Sequence, residues 1–75
     1  MTELIQNFGV AVRHFREAQG WSQELLAEKA DLNRSYLGEV ERGRVIPSLA
    51  TAHKLASALN ISLSSLLAHC EQQAA

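Results

Sequence analysis

Polar and charged side chains recur at helical spacing in the segment LNRSYLGEVERG, residues 32–43. On a helical wheel of about 100° per residue, the face that a core would cover carries Tyr36, Leu37 and Val40. The opposite arc carries Arg34, Ser35, Gly38, Glu39 and Arg42. Gly38 costs such a helix about 1 kcal/mol relative to alanine. A partner surface that needs the space would explain why glycine is present. The arc is therefore predicted to meet a surface that approaches closely, as the floor of a groove would.

Glu41 is predicted to be half-buried, because it lies at the border of the apolar arc of the same helix. A carboxylate in that position needs a cation or several hydrogen-bond donors. Arg16 lies at the border of an earlier apolar stripe, beside Val12. We expect Arg16 and Glu41 to form a structural ion pair that holds the helix carrying the polar arc. The alternative is an exposed pair that contributes nothing to stability.

The elements around this segment are all predicted to be helices, and no stretch has the alternation of a strand. Polar caps indicate four amino termini, at Ser22, Asn33, Ser48 and Ser62. Residues that tolerate a left-handed conformation follow three of the helices: Gly20, Gly43 and Asn60. The short link between the second and third helices is typical of a helix-turn-helix, here over about residues 22–43. Residues 1–75 are thus predicted to form one all-α domain of five helices, with helices four and five over 48–70.

The composition is that of an ordinary globular protein, with 47% hydrophobic and 20% charged residues and a net charge of −1. That charge argues weakly against a broad nucleic-acid footprint. A single cysteine, Cys70, and the absence of a signal-peptide pattern favour the cytoplasm. No apolar run is long enough to span a membrane. His53, His69 and Cys70 lack the close spacing of metal ligands, and no catalytic constellation is present, so neither a cofactor nor an enzyme is expected.

The chain resembles the phage repressor/Cro-type (XRE) helix-turn-helix family of DNA-binding regulators. The resemblance rests on FGVAVRHFREAQGWSQELLAEKADLNRSYLGEVERG and continues through PSLATAHKLASALNISLSSLL. Its specific elements are Gly9, Arg13 and Arg16, then SQELLA (22–27), ERG (41–43) and PSL (47–49). Asp31 departs from the pattern, since the family usually has glycine at the interhelical turn; aspartate tolerates the left-handed conformation with modest strain. The resemblance implies a five-helix lambda-repressor-like bundle that binds a double-stranded DNA operator.

The family pattern assigns base reading to the start of the third helix. Arg34 matches the first outward position, where a guanidinium can hydrogen-bond guanine O6 and N7; a phosphate contact is the alternative. Asn33 and Ser35 suit a base edge or a nearby phosphate, although capping can use Asn33 fully. Glu39 can accept from cytosine N4, but it is expected chiefly to organise Arg42 or Ser35.

Phosphate binding is assigned to residues on either side of the base-reading residues. Gln23, at the start of helix two, resembles the residue that anchors a phosphate with its side chain and the helix amino terminus. A plain exposed helix start is the alternative. Arg42 and Arg44 flank the helix exit as backbone contacts, and the hydroxyl of Tyr36 can reach a phosphate while its ring joins the core.

Family members of this size bind pseudo-palindromes as dimers. Apolar residues late in the chain are predicted to form the dimer interface: Ile61, Leu63, Leu66 and Leu67. These leucines can instead complete the monomer core. No pocket for a small-molecule ligand is expected, so protein concentration is the simplest regulator.

Several hypotheses about the biological role of the chain stay open. The size and the third helix resemble most the autoregulatory controller protein of a restriction–modification system, with an antitoxin-type autoregulator and a Cro-like repressor as alternatives. A different class, a protein-interaction module that has kept the fold without DNA binding, is the main alternative.

Overall fold

Five helices make up the described part of the chain, as expected from the sequence: α1 (Thr2–Ala18), α2 (Gln23–Ala30), α3 (Arg34–Glu41), α4 (Leu49–Ala58) and α5 (Leu63–Ala74). This computed structural model describes residues 2–74, and the side chains of residues 3–71. The all-α prediction is confirmed. The helix α5 continues beyond residue 70, where the sequence prediction ended, because the residues that follow, EQQA, are compatible with a helix. Within the described residues, no helix is both long and apolar enough to cross a membrane.

The helix ends follow the predicted caps. Ser22 Oγ accepts from Leu25 N at 3.1 Å, and Ser48 Oγ accepts from Thr51 N at 3.0 Å. Left-handed backbone is found where helices end, at Gly20, Asp31, Gly43 and Asn60. Asp31 has φ 56°, so aspartate takes the conformation for which glycine is the usual choice.

The core lies where α1 crosses α3 and α5 and where α2 packs on α3 and α4. Its fully buried side chains include Val12, Leu26, Leu37, Val40, Leu55, Leu66 and Cys70. The position of Leu66 corrects the predicted dimer interface, because this side chain is 0% exposed in the monomer. Ile61, Leu63 and Leu67 are half-buried and pack against the same core. Helix α5 therefore uses much of its apolar face within one chain.

Gly9 allows α1 to lie unusually close to the carboxyl end of α3. A Cβ atom built on Gly9 would lie 2.6 Å from the carbonyl oxygen of Glu41, and it would also collide with that of Val40. Backbone atoms cannot yield as a flexible side chain can. The glycine thus sets the separation of the two helices, and with it the position of α3.

Candidate nucleic-acid interface

The turn between α2 and α3 presents α3 at the surface with its amino terminus capped. The Oδ1 atom of Asn33 accepts from the backbone N–H groups of Ser35, at 2.8 Å, and Tyr36, at 3.3 Å. This oxygen is therefore occupied by the helix itself. Of the two ends of the amide, only the NH₂ group of Asn33 stays available to a partner.

The predicted polar arc of α3 lies at the surface of the protein. Arg34, Ser35 and Arg42 are exposed, and Glu39 is partly exposed. With Gln23 and Gly38 they line a depression of about 290 Å³. The structure thus brings together three residues expected to read bases, Arg34, Ser35 and Glu39, on one continuous surface. We call this surface, lined by Gln23, Arg34, Ser35, Gly38, Glu39 and Arg42, the recognition surface.

Glu24 is a neighbour of this surface that the sequence interpretation missed. Its Oε1 atom lies 3.7 Å from Nη1 of Arg34, and both side chains are largely exposed. The pair links α2 to α3, and screening by solvent makes it weak. Its signal in the sequence is slight, because the pairing depends on the angle between the two helices.

Gly38 is buried, although the helical wheel placed it in the outward arc. The guanidinium of Arg42 covers it: a Cβ on Gly38 would lie 3.4 Å from both Nη1 and Nη2 of Arg42. Arg42 Nη2 also donates to Glu39 Oε1 at 3.1 Å. The wheel gives the direction of a Cα–Cβ bond, but it does not show that a long side chain one turn later bends back over the position.

Arg16 and Glu41 meet below the recognition surface. Arg16 donates to the Glu41 carboxylate through Nε, at 2.8 Å, and Nη2, at 3.1 Å, while Nη1 donates to the carbonyl oxygen of Trp21 at 2.8 Å. The two residues are 9% and 8% exposed. The hydrogen bonds to Glu41 raise the pKa of the Arg16 guanidinium, although burial opposes the shift. This geometry is that of a fully hydrogen-bonded buried pair between α1 and the last residue of α3.

Gln23 is a third member of this network. Its Nε2 atom donates one N–H to Glu41 Oε1 at 2.9 Å, which leaves the second N–H of the amide for a partner. Glu41 accepts three hydrogen bonds in all and needs them because it is buried. The amino terminus of α2 itself remains at the edge of the recognition surface.

The other predicted phosphate-binding residues differ in exposure. Arg44 is exposed and belongs to none of the ion pairs found among the described residues. Tyr36 is half-buried and packs its ring against the core. Trp21, which the sequence interpretation did not use, is half-buried beneath Lys29, whose Nζ lies 4.9 Å from the ring centre. No group of three potential metal ligands occurs in the described part of the chain.

The fold and the recognition surface define a helix-turn-helix protein. The chain belongs to the Helix-turn-helix (HTH_3) family, whose model matches residues 12–66. A solved structure of the restriction-modification controller protein C.AhdI from Aeromonas hydrophila is similar, with 45% identity and a TM-score of 0.81. The match covers 88% of this chain and 98% of that one.

Two curated relatives extend the comparison. The control protein C.BamHI of Bacillus amyloliquefaciens is 38% identical over 72 residues, covering 88% of this chain and 89% of that protein. The immunity repressor protein of Bacillus phage phi105 is 42% identical over 59 residues, 79% of this chain. This chain spans only 41% of the repressor's length.

Proposed function

We propose that the protein is a sequence-specific DNA-binding transcriptional regulator that acts in the cytoplasm. The observation that carries the proposal is the recognition surface: an exposed row of hydrogen-bonding side chains on the second helix of a helix-turn-helix. An α-helix fits the major groove, and residues near its amino end reach base edges there. Membership of the helix-turn-helix family supports the same conclusion.

The net charge of −1 does not oppose this role, because half of the acidic side chains lie beside an arginine. Of the eight acidic residues, four lie within ion-pair distance of an arginine: Glu17, Glu24, Glu39 and Glu41. Pairing lowers the repulsion that a bare carboxylate would exert on phosphate. It also uses up positive charge, so we expect weak non-specific binding and a shallow dependence of affinity on salt.

Within this function, Arg34 is the main base-reading residue, and Ser35 and the NH₂ group of Asn33 contact neighbouring base edges or phosphates. Arg44 and the amino terminus of α2 contact the DNA backbone. The hydroxyl group of Tyr36 contacts a phosphate if one lies within its reach. Gln23 supports the surface through Glu41, and the second N–H of its amide contacts a phosphate together with the amino terminus of α2.

A homodimer on a pseudo-palindromic operator fits this protein best. The strongest apolar exposure among the described residues lies at Ile46, 73% exposed, and Leu49, 74% exposed, in the loop before α4 and at its start. They line a shallow groove together with Leu4 and Leu67. Leu67 thus belongs both to the interface predicted from sequence and to this surface, which a second copy would cover. A mass that stays monomeric at micromolar concentrations in sedimentation equilibrium would contradict the dimer.

Among regulators, an autoregulatory controller-type protein is the form that we propose. The similarity to C.AhdI and C.BamHI supports it. The similarity to the phage repressor keeps a Cro-like repressor as the alternative within the same class.

The test is fluorescence anisotropy with the duplex immediately upstream of the protein's own gene and a scrambled duplex of equal composition, at several salt concentrations. We expect tight binding to the first duplex only. Arg34→Ala should lose this preference, whereas Lys54→Ala, which removes an exposed charge from α4, should keep it. Weak and equal binding of the wild type to both duplexes even at low salt would refute the proposal and favour the protein-interaction module.

A further inference from the structure

Arg42 lies across the middle of the recognition surface rather than at its end. It is the residue that follows the last turn of α3, yet its side chain runs back one turn, about 5.4 Å, toward the amino end of the helix. There the guanidinium rests over Gly38, with Nη1 and Nη2 each 3.4 Å from the place of a glycine Cβ. It borders the same depression as Arg34 and Ser35.

Glu39 holds the guanidinium in this position. Its Oε1 atom accepts from Arg42 Nη2 at 3.1 Å, and both side chains remain partly open to solvent. One of the five guanidinium N–H groups is used in this contact, which leaves the others for a partner. The guanidinium offsets part of the charge of the Glu39 carboxylate, and its remaining N–H groups provide donors beside it.

We propose that Arg42 reads a base edge and that Glu39 is its positioning residue. This inference rests on the proposed function and changes the sequence-based assignment, in which Arg42 contacted phosphate. A phosphate contact at the helix exit requires a side chain that extends away from α3, as the exposed Arg44 can. A guanidinium that rests over Gly38 moves with the helix into the groove instead. Two fixed donors favour the acceptors O6 and N7 of guanine.

Gly38 completes this arrangement. A Cβ at the position would only touch the guanidinium, 3.4 Å from Nη1 and Nη2, whereas a longer side chain would raise Arg42 from the helix or displace it toward Arg34.

The test is selection of bound sequences from a random-sequence duplex library, followed by sequencing of the bound pools. The wild type should enrich a motif. Arg42→Lys and Glu39→Ala should each lose preference at one base-pair position of each half-site, by roughly fivefold or more, and keep the rest of the motif. Glu39→Gln keeps an oxygen acceptor for Arg42, so it should retain part of that preference, which a purely structural role for Glu39 would not explain.

Arg44→Ala is the matched control, because loss of a phosphate contact lowers affinity for all sequences and leaves the motif unchanged. Thermal unfolding of each variant checks that the fold is intact. If the Arg42 and Glu39 variants select the wild-type motif with uniformly lower affinity, Arg42 is a backbone contact and the inference is wrong. If the wild type itself enriches no motif, the proposed function fails, and the inference fails with it.

Discussion

Replacing Arg16 by alanine tests whether the buried network holds α3 in place. The substitution removes two hydrogen bonds to Glu41 and one to the carbonyl oxygen of Trp21. Glu41, 8% exposed, is then left with only the amide of Gln23. Breaking a buried ion pair by removing one partner costs about 3–5 kcal/mol.

We therefore expect Arg16→Ala to lower the free energy of unfolding by about 3–5 kcal/mol at pH 7. In a domain of this size the melting temperature then falls by roughly 12–40 °C. Circular dichroism melts of the variant and the wild type measure this loss.

Arg13→Ala is the matched control for this experiment. It makes the same substitution on the same helix, but the side chain of Arg13 is 63% exposed in its pair with Glu17. We expect a change within about 0.5 kcal/mol for such a surface pair. The reasoning is refuted if Arg16→Ala melts at the same temperature as the wild type.

Two further predictions follow from the core. Gly9→Ala should lower the free energy of unfolding by about 1–3 kcal/mol, because the new Cβ would lie 2.6 Å from the Glu41 carbonyl oxygen. The loss is expected although alanine is the better helix former. A urea midpoint above that of the wild type would contradict it and would show that α1 and α3 separate easily. Burial raises the pKa of the Cys70 thiol, so the folded chain keeps a proton that the unfolded chain releases above about pH 8.5. Stability should then fall with rising pH by up to about 1.4 kcal/mol per unit, and Cys70→Ala should abolish this slope in urea titrations; parallel profiles would contradict it.

The helices and their ends could be predicted because their causes are local. Ser22 and Asn33 satisfy backbone N–H groups two or three residues away, and Asp31 and Asn60 take left-handed backbone at single positions. The contact between Arg16 and Glu41 could also be anticipated, since each lies at the edge of an apolar stripe and a buried carboxylate requires a cation.

The features that were not predicted depend on distances between elements. Leu66 was expected at a dimer surface, but which leucines of α5 the monomer covers depends on how α1 lies across it. Gln23 was expected to bind phosphate, and its additional hydrogen bond to Glu41 depends on how close α2 comes to the end of α3. Periodicity specifies the direction of a side chain relative to its own helix only.

The short length of α3 explains why most recognition residues have no part in holding the fold; Asn33, which caps the helix and also offers its NH₂ group to DNA, is the exception. Eight residues form too few hydrogen bonds to be stable as an isolated helix, so α3 depends on its ends and on its buried face. Asn33 secures the amino end and Glu41 the carboxyl end, which leaves Arg34, Ser35, Glu39 and Arg42 without a role in holding the fold. Substitutions at these four positions should thus alter DNA preference at nearly constant stability. Changes at the two end positions alter both together, because they displace the whole row.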